Sequence, residues 1–216
     1  MPLRSVFVFR KARFLKSAQA LSDLPPESER EIAFAGRSNA GKSSVINTLT
    51  GHRQLARVSK TPGRTQLLNY FGLGNGRFLV DLPGYGYAKV PLATRAPWGR
   101  ILGEYIQTRE QLVGLAVVMD IRHPLTELDR GLLDWFRPTG RPLHVLLTKA
   151  DKLSRTRALQ TLREVRSALA AESPLWTAQL FSSLKRTGIE DAENMFQAWL
   201  SLDEEAASGP DDMVLP

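Results

Sequence analysis

Residues 36–43 read Gly36-Arg37-Ser38-Asn39-Ala40-Gly41-Lys42-Ser43, which matches the phosphate-binding loop pattern G-x-x-x-x-G-K-[ST]. The four residues before this loop, 32–35, are continuously apolar, as is typical of a short buried strand. After the loop, apolar residues recur at helical spacing, at Val45, Ile46 and Leu49. The sequence therefore predicts a strand, a phosphate-binding loop and a helix in the order that this motif requires.

The residue types of this loop indicate its chemistry. Glycines let the backbone come close to an anion, so that successive amide groups donate to phosphate oxygens, and the following helix adds the positive end of its dipole. Lys42 is expected to reach the β- and γ-phosphates, and the Ser43 hydroxyl to hold Mg²⁺. The alternative is a glycine-rich strand-to-helix turn with a chance Lys-Ser pair, but the flanking elements favour a nucleoside triphosphate site.

The composition excludes several kinds of protein. The chain has 216 residues, 43% of them hydrophobic, which is enough for one α/β domain with extensions. It has no cysteine, so disulfides, thiolate zinc sites and thiol nucleophiles are excluded. The apolar run at residues 6–9 is too short for a signal peptide, and no later segment could span a bilayer. We therefore expect a cytoplasmic protein without a membrane partner.

The charge of the chain is positive and unevenly distributed. The formal net charge is +7, with five basic residues and no acid in residues 1–20, and five acidic residues and no base in residues 203–216. Because these two ends cancel, the residues between them keep a net charge of +7. An anionic partner such as RNA or a ribonucleoprotein is one explanation, and a solvated basic surface is the other.

Apolar segments and punctuating residues divide the chain into a basic N-terminal extension (1–30), one nucleotide-binding domain (31–202) and an acidic, disordered tail (203–216). We expect the first core strand only after the extension. Within the domain, strands alternate with helices, one of them from about Trp98 to Val113, and Gly74-Asn75-Gly76 predicts a hairpin. The expected fold is α/β, a doubly wound, mostly parallel six-stranded sheet with one antiparallel edge strand and helices on both faces.

A second phosphate element, Asp81-Leu82-Pro83-Gly84, begins at the last residue of the predicted strand at residues 77–81. A carboxylate at a strand end can hold Mg²⁺ through water, and the amide of Gly84 can meet a γ-phosphate. The pattern D-x-x-G is weak alone, but its position downstream of a phosphate-binding loop makes it a strong indication.

A base-recognition element, Thr148-Lys149-Ala150-Asp151, follows a later strand. Asp151 could accept hydrogen bonds from N1–H and the exocyclic amino group of guanine, whereas adenine would leave the carboxylate unpaired and be rejected by about 10⁴-fold. The stem of Lys149 would lie along the base, and an amide of Ser182-Ser183 would meet the guanine oxygen. The alternative is an ordinary strand-to-helix loop in which Asp151 is a helix cap.

In this order the motifs resemble those of translation-factor-type GTPases, and five strings, at 36–44, 60–66, 81–87, 120–124 and 148–151, resemble the EngB family of bacterial GTPases in particular. The likeness covers the chain from about Phe14 to Leu200. It implies a Ras-like fold, GTP and GDP as ligands, Mg²⁺, weak intrinsic hydrolysis, and a role in assembling the large ribosomal subunit, with rRNA and ribosomal proteins as partners. It also implies a requirement for normal cell division and septation, and we expect a monomer.

The resemblance assigns roles to individual residues. Lys42, Thr65 and Asn39 are the catalytic candidates, and Ser43, Thr65 and Asp81 the metal ligands; Thr65 is preferred to Thr61 because it aligns with the family's switch threonine. The expected nucleotide-binding residues are Gly36, Arg37, Ser38, Asn39, Ala40, Gly41, Lys42, Ser43, Ser44, Gly63, Arg64, Thr65, Gln66, Leu67, Asp81, Leu82, Pro83, Gly84, Thr148, Lys149, Ala150, Asp151, Phe181, Ser182 and Ser183.

Two positions depart from the general GTPase pattern. Thr148 stands where most GTPases have asparagine, and Tyr85 stands where Ras-type enzymes have the glutamine that orients the attacking water. Slow intrinsic turnover is therefore expected, with the missing group supplied by a partner or an ion. Asn39 is a candidate K⁺ ligand, because some related GTPases with this asparagine bind K⁺ beside the phosphates; the alternative is that Asn39 only satisfies a turn.

Other readings remain open at this point. The chain could be an essentially non-catalytic, nucleotide-dependent binding module, an ATP-using enzyme with a chance match at 148–151, or a structural protein of the septum. Trp98 and Tyr105 are either packing residues or a stacking surface for RNA. For Arg122 and His123, a strand-end turn with satisfied polar groups is favoured over contact with a partner.

Overall fold

A single seven-stranded sheet organises the computed structural model, which describes residues 7–56, 67–85 and 99–201. The strands are β1 (Arg13–Ala18), β2 (Arg30–Gly36), β3 (Leu68–Gly74), β4 (Arg77–Asp81), β5 (Leu112–Asp120), β6 (Leu143–Thr148) and β7 (Trp176–Leu180). The helices are α1 (Phe7–Arg10), α2 (Lys42–Thr50), α3 (Gly99–Thr108), α4 (Glu127–Phe136), α5 (Arg155–Glu172) and α6 (Ile189–Ser201). None of the described helices is both long enough and apolar enough to cross a bilayer.

The strands lie in the order β1-β3-β4-β2-β5-β6-β7. β2 pairs in parallel with β4 and β5, and the parallel pairing continues through β6 to β7. β3 is antiparallel to both of its neighbours, so among the described strands it alone runs against the others. The mostly parallel α/β fold and the hairpin at residues 74–76 are confirmed, and the carboxyl ends of five parallel strands meet at one edge of the sheet.

Two details of the predicted sheet were wrong. The sheet has seven strands and not six, and the reversed strand β3 is second from the edge, because β1 covers it. β1 lies before residue 30, where no core strand was expected. Four of its six residues are exposed and its register is broken between Phe14 and Lys16, so it lacks the apolar alternation that reveals a strand in a sequence.

The expected helix from Trp98 to Val113 was too long. In the described residues the helix ends at Thr108, and β5 begins at Leu112 after a turn closed by a hydrogen bond from Leu112 N to Arg109 O of 3.2 Å. Residues 112–119 form an apolar run that is buried against the parallel strands on both sides. From sequence alone, such an apolar run is compatible with either a buried helix or a buried strand. Here its pairing with neighbouring strands makes it a strand.

Helices cover both faces of the sheet, as predicted. Side chains alternate along β2, so that Ala33 and Ala35 face α3, α4 and α5, whereas Ile32 and Phe34 face α1, α2 and α6. Tyr105 of α3 is fully buried in the first of these two layers, which makes it a packing residue and not a stacking surface for RNA. The two layers leave the loops at the carboxyl edge as the place where polar groups converge.

A buried histidine lies in the second layer. His144 of β6 is only 3% exposed, its Nδ1 lies 2.7 Å from Thr177 Oγ1, and its Nε2 lies 2.9 Å from Gln179 Oε1. Burial lowers the pKa of His144 from 6.5 to about 4, although the hydrogen bond to Gln179 opposes the shift. Between these two pH values the unfolded chain binds a proton that the folded chain does not, so stability falls as the pH falls.

The His144→Gln variant is expected to lose less stability on acidification than the wild type. The difference should reach about 3 kcal/mol in the free energy of unfolding between pH 7 and pH 4, since one pKa unit corresponds to about 1.4 kcal/mol. Urea unfolding at a series of pH values measures it, with His123→Gln as the control because His123 is exposed. Parallel pH profiles for wild type and His144→Gln would show that this histidine does not carry the effect.

Candidate nucleotide-binding site

The phosphate-binding loop connects the end of β2 to the start of α2. Gly36 lies so close to β5 that a Cβ there would come within 2.9 Å of the carbonyl oxygen of Val118. Gly41 has a φ of 101°, which side-chain-bearing residues rarely adopt, and it is the residue before the first turn of α2. The loop is therefore held between two glycine positions, with the amino end of α2 directed at its concave side.

Lys42 and Asp81 meet at this edge. Lys42 Nζ forms an ion pair with Asp81 Oδ1, and both side chains are largely buried, at 12% and 8% exposure. Asp81 is the last residue of β4, and the next amide, of Leu82, donates to Phe34 O of β2 over 3.0 Å. Ser43 lies beside Lys42 in the first turn of α2. The structure thus brings the two predicted phosphate elements together.

The segment after Asp81 runs along the phosphate-binding loop. Tyr85 N donates to Gly36 O over 3.3 Å, and Ser38 N donates to Tyr85 O over 3.0 Å. Gly84, the residue before Tyr85, is exposed, and a Cβ there would lie 3.4 Å from Ser38 Oγ. This pairing holds the Gly84 backbone next to the loop.

The Tyr85 side chain points into the protein. It is 3% exposed, and its hydroxyl donates to Asp129 Oδ1 of α4 over 2.8 Å. Burial, with the nearby Asp129 charge, raises the pKa of Tyr85 well above its usual value, so the hydroxyl stays protonated and donates. Tyr85 therefore fixes residues 82–85 to the protein interior, through the hydrogen bond from its hydroxyl to Asp129 of α4.

Asp129 is a residue that the sequence analysis missed. It is fully buried, accepts from Tyr85, and lies 3.6 Å from Arg37 Nε, while Arg37 Nη2 donates to His123 O over 3.2 Å. Its second oxygen accepts from the backbone N and the hydroxyl of Thr126, closing a capping box on α4. The spacing Thr126-x-x-Asp129 signals such a cap, but the contacts to Arg37 and Tyr85 come from the tertiary fold.

Thr148 and Lys149 contact the phosphate-binding loop directly. The Thr148 hydroxyl donates to Ala40 O over 2.6 Å and lies 3.1 Å from Met119 O, so this threonine bridges β6, β5 and the loop. Lys149 has a left-handed φ of 58°, and its Nζ donates to Asn39 O over 2.9 Å. The base-recognition element and the phosphate-binding loop therefore form one connected structure.

Asp120, at the end of β5, anchors this arrangement. Its Oδ2 lies 2.9 Å from Lys149 Nζ and 2.6 Å from Arg122 Nη2. Burial disfavours the charged carboxylate, but hydrogen bonds from Arg122 and Lys149 outweigh it and hold the pKa of Asp120 well below its usual range. Arg122 forms part of this turn and His123 accepts from Arg37 through its carbonyl, which agrees with the reading of a strand-end turn with satisfied polar groups.

Asp151 is oriented from the end of β7. The Ser182 hydroxyl donates to Asp151 Oδ1 over 2.6 Å, and Lys185 N in turn donates to Ser182 Oγ over 3.0 Å. This contact from Ser182 holds the pKa of Asp151 below its ordinary value. Ser182 N donates to Thr187 O, and the contact of an amide of Ser182-Ser183 with a guanine oxygen stays a prediction.

The remaining predicted residues divide into described and undescribed ones. Phe181 is buried and accepts from Ala150 N over 3.2 Å, and the Ser183 hydroxyl lies 3.4 Å from Ser44 O. Pro83 lies between Leu82 and Gly84, and Leu67 directly precedes β3. The rest lie outside the described residues: Thr61, Gly63, Arg64, Thr65, Gln66 and Trp98.

Comparisons with known proteins agree with this geometry. The family model described as "50S ribosome-binding GTPase" matches residues 31–149. The chain is 55% identical over 213 residues to a probable GTP-binding protein EngB of Dechloromonas aromatica (strain RCB), covering 97% of each chain. It is 59% identical over 192 residues to a probable GTP-binding protein EngB of Nitrosomonas europaea, covering 89% of this chain and 86% of the relative.

Solved structures show the same fold at lower identity. A crystal structure of a probable GTP-binding protein engB matches with a TM-score of 0.59 and 22% identity, over 79% of this chain and 99% of the other. The bacterial selenocysteine-specific elongation factor EF-Sec matches with a TM-score of 0.59 and 21% identity, over 81% of this chain and 29% of the other. The relatives, the family model and the fold agree: the chain belongs to the EngB family of GTP-binding proteins and is a GTPase.

Proposed function

We propose that this GTPase holds GTP and Mg²⁺ at the carboxyl edge of the sheet and acts as a nucleotide-dependent switch in the assembly of the large ribosomal subunit. The observation that carries the proposal is the meeting of Lys42 with Asp81 next to the phosphate-binding loop, on the same edge as Asp151. One side of this edge suits a polyphosphate and the other suits a guanine base.

The residues at the phosphate side fit a magnesium ion. The Ser43 hydroxyl and the Asp81 carboxylate are oxygen donors, which Mg²⁺ prefers, and Thr65 is a third candidate. Bound there, Mg²⁺ would neutralise charge on the β- and γ-phosphates. Lys42 is close enough to Asp81 to move from that carboxylate to the phosphate oxygens when a nucleotide enters, and the amides of the loop and of Gly84 hold the phosphate chain in place.

A ribosomal partner is supported by the family description "50S ribosome-binding GTPase" and by the net charge of +7. By resemblance, the chain is also needed for normal cell division and septation, and a ribosomal partner places it in the cytoplasm. Co-sedimentation with large ribosomal subunits tests the proposal. More protein should sediment with a non-hydrolysable GTP analogue than with GDP, and equal amounts in both states would contradict a GTP-dependent switch.

A non-catalytic binding module is the second candidate, because Tyr85 stands where Ras-type enzymes have a glutamine and its hydroxyl donates to Asp129. Phosphate release under multiple-turnover conditions, with and without ribosomal subunits, separates the two candidates. We expect slow release that ribosomal subunits accelerate. Less than one phosphate released per protein under both conditions would instead favour the binding module.

Asn39 is the proposed ligand of a K⁺ ion beside the phosphates. Its backbone is left-handed, with a φ of 68°, its side chain is exposed, and its carbonyl accepts from Lys149. We expect GTP hydrolysis to be about 10²-fold faster in KCl than in NaCl at equal ionic strength, the size of effect seen when one charge-stabilising group is removed from an active site.

The matched variant is Asn39→Gly, because glycine tolerates the left-handed backbone while the side chain is removed. It should hydrolyse GTP equally slowly in both salts and bind GDP as the wild type does. Equal rates for the wild type in KCl and NaCl would leave Asn39 with only the role of satisfying a turn.

A further inference from the structure

A second surface, remote from the nucleotide-binding site, combines positive charge with an exposed aromatic ring. It comprises residues 10–16, from the end of α1 through most of β1, and residues 52–53, which follow α2; we call it the β1 surface. Its five basic side chains are all exposed, and neither segment contains an acid: Arg10, Lys11, Arg13, Lys16 and Arg53.

Contacts join the two segments of the β1 surface into one face. Arg13 Nη1 lies 3.3 Å from His52 Nε2, and a Cβ at Gly51 would lie 3.3 Å from Arg10 Nη1. The side chain of Arg10 therefore lies against the end of α2. Arg10 and Arg13 thus lie against a segment some forty positions later in the sequence, which makes this a folded feature and not only a basic tail.

Phe14 lies between Arg13 and Lys16 in the sequence. Its side chain is 54% exposed, and it is the only exposed Phe, Tyr or Trp side chain among residues 8–56, 67–85 and 102–201. The ring packs against Phe71 in a T-shaped arrangement, with centroids 6.1 Å apart, while more than half of the Phe14 side chain faces solvent. Leu15, at the irregularity in the strand, is 46% exposed.

The β1 surface and the nucleotide site lie far enough apart to bind their ligands at the same time. Arg13 pairs with Gly72, near the β3–β4 hairpin, at the end of the sheet opposite to the carboxyl ends of the parallel strands. β1 is also an edge strand of the described sheet. A ligand bound there would leave the loop around Lys42 accessible.

We propose that the β1 surface binds a single-stranded segment of RNA, with its cations on the phosphates and Phe14 stacked on an unpaired base. Charge alone would suit any polyanion. A solvent-exposed ring next to basic residues in the same strand adds a stacking partner, which is what single-stranded RNA uses. A duplex keeps its bases stacked internally and gains little from such a ring. This inference rests on the proposed ribosomal function and assigns a surface to it.

Two variants of the full-length protein test the charges. Lys11→Gln/Lys16→Gln/Arg53→Gln removes three cations from the β1 surface, and Arg130→Gln/Arg155→Gln/Arg163→Gln removes three exposed cations from α4 and α5. The probe is a short, fluorescein-labelled single-stranded RNA followed by fluorescence anisotropy at several KCl concentrations. The first variant should bind about tenfold more weakly and lower the slope of log affinity against log salt by about 2, since each phosphate contact on a single strand contributes about 0.7.

The control variant should bind within about twofold of wild type, because its cations lie away from the β1 surface. Equal losses for both triple variants would overturn the proposal, since they would show binding by net charge alone. Phe14→Leu keeps an apolar contact with Phe71 and removes the ring. It should weaken single-stranded RNA binding about tenfold and leave duplex binding unchanged, and an unchanged affinity for single-stranded RNA would rule out stacking.

Co-sedimentation with large subunits separates a failure of this proposal from a failure of the proposed function. If wild type fails to sediment with the subunits, the ribosomal function is wrong. If wild type and the Lys11/Lys16/Arg53 variant sediment equally, the function stands and the β1 surface is wrong. If that variant loses subunit binding yet binds the RNA probe as wild type does, the surface contacts a ribosomal protein and the RNA assignment is overturned.

Discussion

Asp151→Asn is expected to weaken GTP binding about a thousandfold, because two hydrogen bonds to a charged acceptor are each worth roughly 1.5–3 kcal/mol. The Ser182 hydroxyl holds one carboxylate oxygen of Asp151 over 2.6 Å, which fixes the plane in which the group accepts from guanine. An asparagine there would turn an N–H₂ group toward the donors of guanine. The same amide can donate to the second carbonyl of xanthine, so the affinity for xanthosine triphosphate should rise.

Isothermal titration with GTP, xanthosine triphosphate and ATP measures this change of preference. Asp191→Asn is the matched control, because Asp191 is an exposed carboxylate on α6 and its neutralisation should leave all three affinities unchanged. A loss of GTP affinity below tenfold, or ATP bound as tightly as GTP by the wild type, would contradict the assignment of Asp151 to the base.

The phosphate-binding loop could be placed from sequence because the residues that its pattern specifies are local. The glycines, Lys42 and the flanking strand and helix lie within one continuous segment, and the close approach of Gly36 to Val118 is the kind of constraint that the pattern encodes. Asp81 and Asp151 followed for a similar reason. Asp81 is the last residue of one recognisable buried strand and Asp151 follows another by three residues, and parallel strands bring their carboxyl ends together.

Other parts of the site depend on contacts that no local pattern reports. Asp129 accepts from Tyr85, 44 positions earlier in the chain, and lies near Arg37, so only the folded structure shows that α4 supports the segment after Gly84. The sequence analysis named Ser182 as a site residue that offers a backbone amide. It gave no sign that the Ser182 hydroxyl donates to Asp151. β1 was missed because its side chains are mostly exposed and it is held by backbone pairing with a strand some fifty residues later.

A buried carboxylate at the opposite end of β2 carries the second large effect. Glu31 is fully buried and accepts from five donors on four different side chains. Its Oε1 accepts from Ser28 Oγ over 2.7 Å and from Arg109 Nε and Nη2 over 2.9 and 2.6 Å, and its Oε2 accepts from Tyr70 and Tyr105 hydroxyls over 3.1 and 2.7 Å. Burial, followed by the charge of Glu31, raises the pKa of both tyrosines well above the ordinary value, so both remain donors.

Glu31→Gln is therefore expected to lower the free energy of unfolding by about 3–5 kcal/mol, the cost of removing one partner from a buried charge pair. An amide has one acceptor oxygen and one donor group, so it cannot accept from Arg109 and from two tyrosine hydroxyls at once. The network joins β2 to β3 through Tyr70, to α3 through Tyr105, and to the turn after α3 through Arg109. Loss of the network should weaken the packing of β3 and α3 against β2, the strand that leads into the phosphate-binding loop.

Urea unfolding of the nucleotide-free protein measures the effect without a contribution from ligand binding, which would otherwise stabilise the folded state. Glu104→Gln on the exposed face of α3 is the control and should change stability by less than about 0.5 kcal/mol. The double variant Glu31→Leu/Arg109→Met replaces both charges by apolar groups and should be more stable than Glu31→Gln, because no buried charge is left unpaired. If the double variant were instead the least stable of the three, packing around Glu31, and not the pairing of its charge, would account for the loss.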